Sequence, residues 1–262
     1  MKTKRILRFR CSERLLHWSI ALPFLACLVT ALTLVFLRDM EFMAMERELM
    51  SRAHKISGLF LITLPVLVLL VHIRDFIIHI KNIKEGWLWS FDDIKWLALM
   101  PFSMISSLVS LPEEGKFNAG EKVNFIMTML GHSIFGITGF LMLTTEDSFL
   151  ANIVHILLAI LVLPVVGGHI FMATINPPTR KGLMGMVTGF VDREWAKHHY
   201  RRWYVEKFGE PDFSSGGVHT KDKDQTGEPS GVWIEALFRP IPAVVVIGSI
   251  YLITFFCLEK LV

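Results

Sequence analysis

The chain has 262 residues, 52% hydrophobic and 19% charged, with a formal net charge of +3. Its mean hydropathy of +0.48 is too high for an ordinary soluble domain, and no long basic face suits nucleic acid. Cys11, Cys27 and Cys257 form neither CxxC nor CxxCH, which argues against a structural zinc site and against c-type haem attachment.

In chain order, Met1–Arg14 and the apolar run behind it imitate a signal peptide. The run is long, however, contains His17 and Trp18, and lacks a small-residue cleavage site, so it reads as a retained first helix. The first span is expected over Leu15–Leu37 with a kink at Pro23, and the second over His54–Ile73 with Pro65. Ile94–Leu111 is apolar but carries four serines and Pro101. It reads as an interfacial or re-entrant helix, a further span being the alternative. The third span is expected over Val123–Leu143 and the fourth over Asn152–Ile175. Behind it, "WAKHHYRRWY" sets Trp195, Trp203 and Tyr204 beside Lys197, Arg201 and Arg202, an amphipathic, interface-seeking stretch in which His198 and His199 are candidate proton suppliers. A polar linker, "GEPDFSSGGVHTKDKDQTGEPSG", precedes a fifth span over Ile241–Leu258. The chain is thus expected to be an all-α membrane protein: a four-helix transmembrane bundle with its tail (1–208), a linker (209–236) and an additional C-terminal transmembrane helix (237–262).

Charge sets the orientation. Segments 1–14, 74–122 and 177–236 hold six, six and nine Lys or Arg, against three in 38–53 and none in 144–151. By the positive-inside rule the N-terminus is cytoplasmic and, with five spans, the C-terminus is outside.

Histidines are costly in lipid unless partnered. His155 and His169 lie fourteen residues apart on one span, about 21 Å in rise and within about 40° in direction, so one stands near each side of the hydrocarbon. His17 opens the first span on the inner side and His54 opens the second on the outer side. Matching depths pairs His17 with His169 and His54 with His155. Imidazole pairs between bundle helices are the usual holders of a b-type haem, so two haem b groups are expected at two depths. His72 shares a helix face with His54 and competes for the inner iron; it otherwise reads as an interface residue. His132, about 15 Å into the third span, matches neither depth and reads as a hydrogen-bonding group. Gly131, Gly136, Gly139, Gly167 and Gly168 make room either for a porphyrin or for close helix packing.

Three stretches, "ERLLHW", "GKFNAGEK" and "VHILLAILVLPVVGGHI…GLMGMVTGFVDREWAKHHYRRWY", resemble the di-haem cytochrome b (gamma) subunit of membrane-bound formate dehydrogenases, over roughly residues 5–208. Thiosulfate reductase and nickel–iron hydrogenase cytochromes are similar at a greater distance. The resemblance implies haem ligation by His17 with His169 and by His54 with His155, in agreement with the depths. It also implies a quinone pocket beside the inner haem that includes Asn118, Gly120 and Lys122, with Glu121 where the family commonly has glutamine. Read on its own, "NAGEK" is a helix cap. The fifth span departs from the family's four-helix pattern.

The expected function is therefore electron transfer in the inner membrane of a bacterial-type cell. Electrons would pass from an iron–sulfur subunit, itself fed by a molybdenum or tungsten catalytic subunit, to menaquinone or ubiquinone on the cytoplasmic side. A homo-oligomer of the whole complex is compatible with this. The same cytochrome serving a hydrogenase or a thiosulfate or polysulfide reductase is the near alternative. A haem-free anchor or transporter with proton- or metal-carrying histidines is the distant one.

Overall fold

The computed structural model describes residues 4–38, 40, 44–106, 108–145 and 148–209. The linker from 210 onward and the expected fifth span, Ile241–Leu258, lie outside the described residues. The elements are β1 (Arg5–Leu7), α1 (Cys11–Phe36), α2 (Ala44–Val71), α3 (Phe76–Trp87), α4 (Phe91–Ser103), α5 (Ala119–Thr144), α6 (Phe149–Thr174), α7 (Leu183–Thr188), β2 (Phe190–Asp192), α8 (Arg193–His199) and α9 (Arg201–Phe208), with single 3-10 turns at Ile73–Asp75 and Arg180–Gly182.

Among the described residues, α1, α2, α5 and α6 are long and apolar enough to cross a membrane. At 26–28 residues each they reach about 40 Å, past a hydrocarbon core of about 30 Å. α2 starts ten residues before the expected His54, because hydropathy marks where lipid begins whereas the backbone ladder continues into polar sequence. There the Glu48–Arg52 pair, at 2.6 Å, supports it one turn apart. α4 holds only 13 residues, about 20 Å, too short to cross. It opens where the Ser90 N–H and hydroxyl both donate to Asp93, at 2.7 and 2.9 Å.

The chain divides into two compact units. One comprises described residues of 9–79 and 128–164, in which α1 packs along α2. Ser12 donates to Asp75 at 2.7 Å, tying the start of α1 to the turn after α2. Pro23 and Pro65 stand buried inside continuous helices. Outward side chains such as Val35, Leu70 and Ile160 are exposed, an arrangement that suits hydrocarbon and not water.

The other unit comprises residues 4–8, 80–127 and 165–209. Here β1 pairs antiparallel with β2, Ile6 opposite Val191. Both side chains turn inward onto Trp195, Ala196, Tyr200, Trp203 and Tyr204. The chain reaches β2 through Gly189, whose φ of 91° belongs to the left-handed region that glycine enters without steric cost. Asp192 caps α8 by accepting from the Trp195 N–H at 2.9 Å, and the Trp195 indole donates to the Pro178 carbonyl at 2.8 Å. The aromatic rings expected to seek the membrane interface are thus buried: Trp195, Trp203 and Tyr204 fill a protein core. Their hydrophobic area is taken up by the strand pair, a long-range partner that local amphipathicity does not reveal.

Candidate functional site

In the unit built on α1 and α2, the His54 and His155 rings stand 6.3 Å apart between centroids, inclined at 70°. Each ring is held by one nitrogen. Nδ1 of His54 lies 3.1 Å from the Cys27 carbonyl and 3.0 Å from the Thr30 hydroxyl. A carbonyl only accepts, and the Thr30 hydroxyl donates its own proton to the Ala26 carbonyl at 2.7 Å, so Nδ1 carries the hydrogen. Nδ1 of His155 lies 2.8 Å from the Thr138 hydroxyl, which donates to the Ile134 carbonyl at 2.7 Å. That nitrogen too is taken up by a protein partner. His54 therefore carries its lone pair on Nε2, the form a metal takes, and in both rings Nδ1 is held from behind. Phe135 meets the His155 ring edge-on at 4.9 Å, and a Cβ on Gly139 would sit 3.9 Å from that ring.

This pair fits a haem. The 6.3 Å between ring centres would leave room for one metal ion held by both imidazoles. Among the described residues no three His, Cys, Asp or Glu side chains gather as a metal cage. Thr30 and Thr138 were not singled out from the sequence.

His17 lies half-buried on α1, its ring 5.3 Å edge-on to Trp18. His169 lies half-buried on α6 in the other unit. His72 stands where α2 gives way to the 3-10 turn. The Nδ1 atom of His132 is buried on α5 without a hydrogen-bond partner among the described residues.

The residues before and at the start of α5 form a connected polar group. Asn118 accepts from the Glu121 N–H at 2.8 Å while Glu121 accepts from the Asn118 N–H at 2.9 Å, a reciprocal cap. The Glu121 carboxylate also takes the Tyr200 hydroxyl at 2.9 Å and Arg8 at 3.3 Å. Arg8 lies over the Tyr200 ring at 3.5 Å, and burial pushes the Tyr200 phenol upward, so that it stays a donor. Lys122 donates to Asp93 at 2.7 Å and to the Leu88 carbonyl at 2.9 Å. Burial works to raise the Asp93 carboxyl, but hydrogen bonds from Lys122 and Ser90 hold it below the ordinary carboxylate range. A Cβ on Gly120 would come within 3.4 Å of Trp96. Further along, His199 stacks on Trp195 at 4.7 Å and bonds its carbonyl at 3.0 Å; burial lowers its pKa.

A model of the prokaryotic cytochrome b561 family matches residues 8–189. The chain is 24% identical over 216 residues to the nitrate-inducible formate dehydrogenase cytochrome b556(Fdn) subunit of Escherichia coli (strain K12), covering 78% of this chain and 93% of that one. It is 25% identical over 214 residues to the formate dehydrogenase cytochrome b556 subunit of Haemophilus influenzae, covering 78% and 84%. The family match takes in α1, α2, α5 and α6 and the ring pair that fits a haem, and the chain belongs to the prokaryotic cytochrome b561 family, as a multi-pass membrane cytochrome b.

Proposed function

We propose that the chain is the membrane electron-transfer subunit of a respiratory formate dehydrogenase, taking electrons from an iron–sulfur subunit and giving them to menaquinone or ubiquinone at the cytoplasmic side of a bacterial inner membrane. The observation that carries this is the His54–His155 pair, two imidazoles with Nδ1 hydrogen-bonded. The names of the relatives supply formate; the molybdenum- or tungsten-bearing catalytic subunit belongs to the reading and would be a separate chain.

His54 and His155 would hold the outer haem b, and His17 with His169, paired by sequence depth, the inner one. A haem held by two such imidazoles would supply one-electron transfer. Thr30, Thr138 and the Cys27 carbonyl keep the two outer rings in register. Asn118, Gly120, Glu121 and Lys122 would border the quinone. By the positive-inside rule the N-terminus would lie in the cytoplasm and, with a fifth span, the C-terminus outside.

Pyridine haemochrome analysis of the protein purified in detergent tests the reading. Two b haems per chain are expected, with one lost from each of His17→Ala, His54→Ala, His155→Ala and His169→Ala, and none lost from His132→Ala. Loss from His72→Ala without loss from His17→Ala would reassign the inner ligand. Absence of a Soret band would sink the reading.

A further inference from the structure

One buried acid has no task in the proposed site so far. Glu114, between α4 and α5, is 6% exposed. Its carbonyl accepts from the Trp203 N–H at 3.3 Å, yet its carboxyl has no hydrogen-bonded side-chain partner among the described residues. It faces charge from three directions: Asp93 on α4, Glu121 and Lys122 on α5, and Arg202 on α9. Glu85 of α3 closes in beside the adjacent Gly115. The preceding residue, Glu113, lines an open cleft of about 400 Å³ together with Asp92, Lys95, Ser110 and Arg202, and pairs with Arg201 at 3.0 Å. The residue before Glu114 thus borders polar space, Arg202 of that same cleft acts on the Glu114 carboxyl, and so do Glu121 and Lys122 at the start of α5.

We propose that Glu114 is the proton-relay residue of quinone reduction, passing protons from water in the cleft lined by Glu113 and Arg202 to the group at Glu121 and Lys122. The proposal rests on the quinone site suggested above and adds to it the route of its protons. Quinone to quinol takes two electrons and two protons. The electrons come from the donor subunit. For each proton Glu114 gives up, its O–H bond breaks and a carboxylate remains; a proton from water in the cleft restores it, and Glu114 is unchanged over the cycle. Burial, with Asp93 and Glu121 adding to it and Lys122 and Arg202 opposing, pushes the Glu114 carboxyl up to about 8. It is therefore protonated at neutral pH and close to the point of release, as a relay must be.

The test uses the full-length chain assembled in its complex, with the rate of quinone reduction expressed per haem and haem reduction by substrate measured in parallel. The wild type is expected to lose rate as pH rises through about 8. Glu114→Gln is expected to keep its haems and their reduction by substrate, to slow quinone reduction tenfold or more, and to lose that alkaline limb; Glu114→Asp should restore part of the rate. Arg202→Gln removes a cation that lowers the Glu114 pKa, so the limb should move to higher pH. A wild-type rate and profile in Glu114→Gln, or an unmoved limb in Arg202→Gln, would overturn the relay and leave the cytochrome reading intact. A wild-type complex whose haems are reduced but which reduces no quinone would overturn both.

Discussion

A threonine inside a helix has a ready acceptor in the carbonyl four residues back, and Thr30 and Thr138 both use it. That habit hides them in a sequence, where any threonine of a span could do the same. The histidines they serve are legible, because charge-bearing rings in apolar runs are rare and their depths can be compared. What separates Thr30 and Thr138 from Thr33 or Thr63 is that they are buried and that a ring nitrogen lies against the hydroxyl. Thr138→Val is expected to leave both haem ligands in place and to weaken retention of one haem by about 10–100-fold, measured by haem transfer to apomyoglobin; unchanged retention would show that the hydroxyl does not orient His155. Glu114 makes a second prediction at this scale. Its ordinary value is 4.5 and it is raised to about 8 in the folded chain. Between those values the folded chain holds a proton that the unfolded chain has released, so stability falls as pH rises across this window. Thermal unfolding in detergent should show the wild type losing ground to Glu114→Gln between pH 5 and 8, and the opposite trend would mean the buried group is ionised.

At the level of elements, the four long helices were legible to within a few residues at most ends, because apolar runs of that length have few other uses. The exception, the start of α2, lies outside the apolar run, where only backbone bonding carries the helix on. The pairing of β1 with β2 was not legible. Three-residue strands set nearly the whole described chain apart have no periodicity to read, and the aromatic residues they cover look like a surface stripe when taken alone. The cap at Asn118 was legible as a cap, but the carboxylate it shares with Arg8 and Tyr200 was not. The Lys122–Asp93 pair joins α5 to α4 with both side chains almost wholly buried, 3% and 4% exposed. Removing one member strands a charge, so Lys122→Met is expected to cost about 3–5 kcal/mol, with Asp93→Asn added to it recovering much of the loss, as read by unfolding of the detergent-solubilised protein. At the α7–β2 junction, Gly189→Ala should cost about 1 kcal/mol from its left-handed φ. A smaller loss would show that the turn can relax.

For the molecule as a whole, exposed Leu70, Ile160 and Leu161 define a surface that only lipid or a partner's apolar face can cover. Alkaline carbonate washing should therefore leave the chain in the membrane fraction, and an N-terminal reporter should register as cytoplasmic. A chain ending at residue 208 is expected to keep both haems, since every expected ligand precedes that point.

The strand pair bears on how such a chain is made. Arg5–Leu7 leaves the ribosome early, and its mate, Phe190–Asp192, follows some 185 residues later, a wait of roughly 10–40 s at ordinary elongation rates of 5–20 residues per second. The four long apolar helices of the described residues, α1, α2, α5 and α6, are translated in that interval. The two strands can zip only after α6 has been synthesised, so their closure follows the making of α1, α2, α5 and α6, and a nascent chain stalled before residue 190 would display an open edge to the quality-control proteases of the cell.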